Sequence, residues 1–173
     1  MFEYLMPRLL QRDAAGTLLS VSCHNAALVQ MSLPGVSPWG ISESGRFRLD
    51  EAGNYQYHAF GVPALALRAT HFQRVITPYA GALALSCFPH ASVRNLAHME
   101  ALGWLGELGF FEAADYTAPD DSHAFFIVKS HMAHHQGMTL CAICNALTGN
   151  ALVNLFHSDA RMEAFSLLLE ERI

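Results

Sequence analysis

Three short segments set polar side chains among aromatic rings. Pro38-Trp39-Gly40-Ile41-Ser42-Glu43-Ser44 places Glu43 beside a tryptophan and a glycine turn. Tyr55-Gln56-Tyr57-His58-Ala59-Phe60-Gly61-Val62-Pro63 interleaves rings with an amide, and Gly109-Phe110-Phe111-Glu112-Ala113-Ala114-Asp115-Tyr116 sets two acids three apart among rings. Flat aromatic faces stack on pyranose rings while carboxylates and amides bond hydroxyls. Trp39, Tyr55, Gln56, Tyr57, Glu112, Asp115 and Tyr116 are therefore candidate sugar contacts. A carboxyl packed among rings also keeps its proton to higher pH, which suits a general acid. The plainer assignment for Glu43, Glu112 and Asp115 is capping of helices or pairing with arginines. Glu3, in Phe2-Glu3-Tyr4-Leu5, falls by spacing alone on an exposed helix face.

Ten histidines are an excess, and the densest cluster is His131-Met132-Ala133-His134-His135-Gln136-Gly137-Met138. His131 and His135 are four apart, a metal-ligand spacing on a helix, and Cys141-Ala142-Ile143-Cys144 follows. A zinc site is thus one reading. Against it, the glutamate of a His-Glu-x-x-His motif is absent and there is no second Cys-x-x-Cys. The preferred reading binds no metal: His134, His135 and Gln136 form a polar row at the mouth of a cleft, bonding sugar hydroxyls or carboxylates. No phosphate loop, nucleophile elbow or dinucleotide fingerprint occurs, so no cofactor is expected.

The elements that position these residues read as helices. Apolar residues recur at three-and-four spacing, and clean strand alternation is scarce. Helices are expected over Phe2 to Arg12 with a break at Pro7, and over Thr17 to Met31 with Thr17 as N-cap. A third is expected from Thr77-Pro78 into Tyr79 to Ser86, and a fourth over His90 to Leu102 with Val93, Leu96 and Ala97 on one face. Phe125 to Thr148 is the longest candidate, closed by Gly149. Ala151 to Phe156 and Ser158 to Arg172 complete the set, the last striped by Met162, Phe165 and Leu169. Ser32 to Gln73 reads as a long irregular stretch, and Gly103 to Asp121 as loop. This is an all-α body with long loops at helix ends, of the α/α-barrel or toroid kind.

Composition narrows the function. Of 173 residues 52% are hydrophobic and 14% charged, about half the usual charge. The best apolar run, Tyr79 to Phe88, is half the length of a membrane span, and the first residues do not form a signal peptide. A net charge of −5 without basic runs disfavours nucleic acid. The four cysteines read as buried thiols in a reducing compartment. Low charge then leaves an obligate oligomer or a piece of a larger fold.

The blocks Met1-Phe2-Glu3-Tyr4-Leu5-Met6-Pro7, Pro38 to Ser44, Tyr55-Gln56-Tyr57 with Phe60 to Pro63, Thr77-Pro78-Tyr79-Ala80 and Val93-Arg94-Asn95-Leu96 resemble bacterial cyclic β-1,2-glucan synthases. So do Gly109 to Ala113 with Asp115-Tyr116-Thr117, Met132 to Met138, and the tail Leu167 to Arg172. The match keeps the family's order over nearly the whole chain and falls in the second half of the central glycoamylase-like domain. The resemblance implies residues 1–173 as a single partial domain, incomplete as part of an (α/α)6 toroid. The implied task is cyclisation of linear β-1,2-glucan by intramolecular transglycosylation. An inactive fragment or a non-catalytic glucan-binding module of the synthase is the alternative. The implied partners are a β-1,2-glucan oligosaccharide and the synthase's other domains, on the cytoplasmic side of the bacterial inner membrane. By analogy with related β-1,2-glucan hydrolases Glu3 becomes the proton donor, with Glu43 and Glu112 holding substrate or assisting. An Asp-Gln-Gly block of those hydrolases aligns with His135-Gln136-Gly137, so the usual base is replaced and transfer to a sugar hydroxyl is favoured over water. The chain departs from the family at Gly45-Arg46-Phe47-Arg48, at His131 and at Phe111, where tyrosines or a tyrosine-asparagine-alanine run are usual. Half a toroid also implies an apolar face along the first helices and the last.

Overall fold

The computed structural model describes residues 1–66, 72–169 and 171–172. Among these, seven α-helices alternate with short strands. The helices are α1 (Phe2–Leu5), α2 (Leu18–Met31), α3 (Pro78–Leu83), α4 (Pro89–Ala101), α5 (Ala133–Thr148), α6 (Ala151–Phe156) and α7 (Ala160–Ser166). The strands are β1 (Ser44–Leu49), β2 (Tyr55–His58), β3 (Val75–Ile76), β4 (Leu105–Gly106), β5 (Gly109–Phe110), β6 (Ala113–Asp115) and β7 (Phe126–Val128). This is the helical toroid type of fold, with its strands confined to the connections between helices.

Helix α3 is the centre. All six of its residues are buried, because Ala80, Gly81 and Ala82 let neighbouring helices approach closely. A Cβ on Gly81 would lie 3.1 Å from Asn95 Nδ2 of α4. Around α3 a first core joins Leu5 of α1, Cys23 and Ala27 of α2, and Met138 of α5 to Tyr79 and Leu83. A second core gathers Ile41, Ile76, Met99, Trp104 and Ala114. A third, smaller one packs Val75, Ala113 and Val128 under Tyr55 and Phe60. Four helix starts have a local cause: Thr17 Oγ1 accepts from Ser20 N at 3.3 Å, Asp159 caps α7 through Arg161 N, and Pro78 and Pro89 occupy first-turn positions. Gly149 ends α5 in the left-handed region at φ 64°.

The connections differ from the sequence expectation. Within Ser32 to Gln73, of which residues 67–71 lie outside the described set, β1 and β2 pair antiparallel with Ser44 opposite His58. Gly103 to Asp121 carries β4, β5 and β6, and β6 is the middle strand of the antiparallel sheet β3-β6-β7. The helix expected from Phe125 starts at Ala133, because Phe126-Ile127-Val128 pairs with β6 instead, Val128 opposite Ala113. Such short strands have no room for the alternation that marks a strand, and aromatic and β-branched runs adopt whichever pairing the core offers. Pro7 turns the first helix into a 3-10 segment over Met6–Leu9.

On α4 the buried face is Ser92, Asn95 and Met99, whereas Val93 is 58% exposed. The polar face turns inward because it meets backbone, not side chains, at Gly81 and Trp39. In the last segment Phe165 is exposed, with Leu167 and Leu168 beyond it, and Glu170 lies outside the described residues. Exposed leucines also mark α2 (Leu18, Leu28), α5 (Leu140, Leu147) and α6 (Leu155). Among the described residues no helix is long and apolar enough to cross a membrane.

Burial pushes the Cys23 thiol up to about 11, against the smaller opposing pull of Arg8. Cys23 Sγ donates to Tyr4 O at 2.7 Å, fastening α2 to α1. Below pH 10 the group stays a protonated thiol and is a poor nucleophile. Iodoacetamide at pH 8 should therefore label Cys141 and Cys144 at least tenfold faster than Cys23, as read by peptide mass spectrometry; equal rates would contradict the packing described.

Candidate active site

The site begins with a backbone held from both sides. Gln30, fully buried on α2, donates from Nε2 to Ile41 O at 2.7 Å and accepts Ile41 N–H at 2.9 Å. Asn95, on α4, does the same to Trp39, donating to its O at 2.8 Å and accepting its N–H at 3.0 Å. Between these clamps Thr77 N donates to Gly40 O at 3.0 Å. Gly40 has φ 127°, and a Cβ there would meet Thr77 O at 3.0 Å, so glycine is required. The clamped strip delivers Ser42 and Glu43 to a fixed place.

Ser42 Oγ accepts from Phe2 N at 3.2 Å and from Tyr79 Oη at 2.8 Å. The Tyr79 hydroxyl also reaches Glu43 O at 3.0 Å. Through these bonds the first turn of α1 sits beside Glu43. Glu3 and Glu43 consequently line one cleft of about 510 Å³, walled by Tyr4, Phe60, Val62 and Leu65. Glu3 is exposed, and Glu43 is half-buried.

Beneath the cleft wall lies a closed pair. Glu112 and His135 have side chains 0% and 1% exposed, and His135 Nδ1 lies 2.9 and 3.0 Å from the two carboxylate oxygens. Gly45 N donates to Glu112 Oε1 at 3.3 Å, so the carboxylate has donors on more than one side. The His135 ring stacks on Tyr79 at 3.9 Å and 17°. Its Nε2 faces Tyr57 Oη at 3.4 Å. Burial, followed by the nearby Glu43 carboxylate, holds the Tyr57 phenol well above its ordinary value. Tyr79 is pushed the same way, chiefly by burial. Both hydroxyls are donors across the physiological range.

The remaining sequence candidates are placed elsewhere. Trp39 packs in the first core, and Tyr55 against the third. Gln56 Oε1 bonds His58 Nε2 at 3.3 Å. Asp115 accepts from Phe47 N at 3.0 Å, Thr117 N at 2.8 Å and Thr117 Oγ1 at 2.5 Å, tying β1 to β6. Tyr116 packs against Phe125 under the Arg74 guanidinium, 3.9 Å from its ring centre. Gln136 Nε2 donates to Phe110 O at 3.1 Å. None of these side chains lines the Glu3–Glu43 cleft. His134 is exposed, its ring 6.1 Å from that of Tyr57.

His131 precedes the first residue of α5, so the four-residue spacing to His135 places no two ligands on one helix face. Among the described residues no group of three or more His, Cys, Asp or Glu side chains gathers to hold a metal. The sequence reading did not single out Gln30, Asn95 or Tyr79. Gln30 carried a signal, a polar residue on the helix face otherwise made of Cys23, Ala26 and Ala27.

The family model for glycoamylase, described as "Putative glucoamylase", matches residues 34–160. The chain belongs to the glycoamylase family. It is 37% identical over 179 residues to the cyclic beta-(1,2)-glucan synthase NdvB of Rhizobium meliloti (strain 1021), covering 99% of this chain and 6% of the synthase. A solved Bacteroides caccae structure carrying the same glucoamylase description is 22% identical, with a TM-score of 0.67 over 98% of this chain and 40% of that one. The endo-beta-1,2-glucanase of Chitinophaga pinensis, solved with sophorotriose and glucose, is 22% identical at a TM-score of 0.56 over 89% of this chain and 34% of that one. These two likenesses establish the fold. The glycoamylase-family chain thus spans a small part of the synthase and two-fifths or less of either solved relative. Glu43, Glu112 and His135 lie within the residues matched by the family model, and Glu3 lies before them.

Gln30→Leu removes both partners of Ile41 and leaves a buried N–H and C=O unpaired. Each such loss costs roughly 1–3 kcal/mol, so the variant should lose about 3 kcal/mol in urea unfolding. A change under about 0.5 kcal/mol would show that the clamp does not hold the strip.

Proposed function

We propose that this chain is part of a carbohydrate-active enzyme that cyclises linear β-1,2-glucan by intramolecular transglycosylation. The observation that carries the proposal is the convergence of Glu3 and Glu43 on one cleft with aromatic walls at Tyr4 and Phe60. The substrate class is supported by the relatives, one named a cyclic beta-(1,2)-glucan synthase and another solved with sophorotriose. In this reading residues 1–173 form part of one glycoamylase-like domain. Its partners are the glucan and the other domains of a synthase at the cytoplasmic face of the inner membrane.

Glu3, exposed in the first turn of α1, protonates the glycosidic oxygen of the bond that breaks. Glu43 attacks C1 as the leaving oxygen departs with that proton. The hydroxyl at the chain's own non-reducing end then displaces Glu43 from C1 while giving its proton to the Glu3 carboxylate, so the β configuration is retained and both acids are regenerated. Overall one glycosidic C–O bond breaks and one forms, so the linkage count is conserved while the chain becomes a ring. A pair of carboxyl groups on one cleft is the minimum such a step needs. The half-buried setting of Glu43 keeps competing water sparse. Tyr57 and His134 are exposed and are further candidates to touch sugar.

Glu3→Gln and Glu43→Gln in the full-length protein separate the roles. Each should reduce cyclic product formation by about 10²–10⁴-fold, with linear glucan accumulating as seen by chromatography. Unchanged cyclisation in Glu3→Gln would remove it as the acid.

A further inference from the structure

We propose that Ser42 and Tyr79 are positioning residues that set the gap between the two cleft carboxylates, and through it the choice between ring closure and hydrolysis. This role rests on the cleft reading above. Ser42 is 1% exposed and Tyr79 2%, so solvent does not stand in for the partners of either hydroxyl. Ser42 Oγ accepts the Phe2 N–H at 3.2 Å and lies 2.8 Å from Tyr79 Oη, which lies 3.0 Å from Glu43 O. Met1, the N-cap of α1, makes no side-chain bond to the first turn, where backbone N–H groups have no helical partner. Ser42 supplies that partner from 40 positions away. One hydroxyl thus belongs to the residue before Glu43 and bonds the residue before Glu3. Both ends of this bridge are fixed to the core. The Tyr79 ring stacks on His135 at 3.9 Å, and His135 Nδ1 is held at 2.9 and 3.0 Å by the Glu112 carboxylate. Behind Ser42, the Ile41 backbone is clamped by Gln30.

The gap decides the chemistry. A carboxylate that attacks C1 works at about 5–5.5 Å from the acid, whereas about 6.5–9.5 Å leaves room for a water between the two. With the gap held short, Glu43 reaches C1 and the glycosyl group is kept for the chain's own hydroxyl. Widening by about 1 Å loses that step, since a misplacement of this size costs about 100-fold, and it admits water. The water oxygen then bonds C1 as the glycosidic bond breaks. Its proton goes to Glu43, and the leaving oxygen takes the Glu3 proton. The product is a linear fragment with inverted configuration, and both acids reset by exchange with solvent.

Tyr79→Phe keeps the ring and its stack on His135 while deleting one hydroxyl of the bridge; Ser42→Ala deletes the other. In the full-length protein each should lower kcat for cyclic product about 100-fold and raise the ratio of linear hydrolysis product to cyclic product more than about threefold. The ratio decides, because a loss of folded protein lowers both products alike and leaves it unchanged. The new reducing end should carry the α configuration, read by ¹H NMR before mutarotation. The double variant should shift the ratio no further than either single change, because groups that act as a unit are not additive. A smaller rise in Tyr79→Phe, whatever its loss of kcat, overturns the proposal. So does linear product of β configuration alone, since water then reached a glycosyl-enzyme formed with the gap intact. If Glu3→Gln and Glu43→Gln abolish cyclisation while the ratio in Tyr79→Phe and Ser42→Ala stays at the wild-type value, only the gap-setting role fails. If Glu3→Gln and Glu43→Gln both cyclise normally, the cleft reading fails and takes this role with it.

Discussion

A carboxylate with no solvent exposure must find its compensation inside the protein, and Glu112 sets the terms for everything near it. Its oxygens need Nδ1–H of His135 and N–H of Gly45. The first requirement brings the start of α5 against the turn before β6. The second brings the start of β1 over both, and this approach is close: a Cβ on Gly45 would lie 3.3 Å from Val128 and 3.6 Å from Glu112. Removing one member of such a buried pair typically costs about 3–5 kcal/mol, because the other is left charged and unpaired. Replacing both by apolar groups is often nearly neutral. Stability alone therefore gives little reason to keep the pair; what the pair does is fix the His135 ring, with its Nε2 turned to Tyr57 Oη at 3.4 Å.

The same economy of position appears in the amide clamps. Gln30 and Asn95 each satisfy both the N–H and the C=O of one residue. They treat Trp39 and Ile41 as though a neighbouring strand were present, with side chains from two different helices supplying the ladder. Among the described residues the strip's backbone pairing is at Gly40 and in the Ile41–Ile76 bridge. A loop tied in this way is as fixed as a strand, yet it can end in a carboxylate that faces a cleft. The cost is borne at Gly40, where only glycine fits.

Legibility in the sequence followed the length over which a signal is written. The helices α2 and α5 were readable from apolar spacing and from Thr17 and Gly149, because each signal spans several turns; α4 was expected from His90 to Leu102, but its apolar spacing pointed to Val93, whereas the buried face is Ser92, Asn95 and Met99. The strands were not, since β3 to β7 hold two or three residues each and their pairing is decided by distant partners. Glu43 was visible as an acid in an aromatic setting, and Glu112 likewise, but that pattern cannot separate a cleft from a core. Asp115 and Tyr116 show the difficulty: an acid among rings also describes a strand tie and a cation–π stack. Spacing set Glu3 on an exposed face, and exposed it is; only the resemblance to the glucan synthases assigned that exposure to a cleft.

The three side chains that organise the site share one more property. Glu3, Tyr79 and His135 lie in the first turns of α1, α3 and α5. Side chains there tilt toward the helix start, so three helices that begin on the same side deliver their first-turn residues to one place. α3 packs against both α1 and α5, which fixes that arrangement through the core. The first turn is also where backbone N–H groups lack helical partners and where negative charge is favoured. Acidic groups therefore collect at low cost on the face where these helices begin, while their C-terminal ends are left to close the body. Long connections on that face, β1 with β2 and the turn carrying Glu112, can then vary the polar lining without disturbing α3. The division of labour follows from helix geometry: the core fixes where the first turns meet, and the connections decide what they meet.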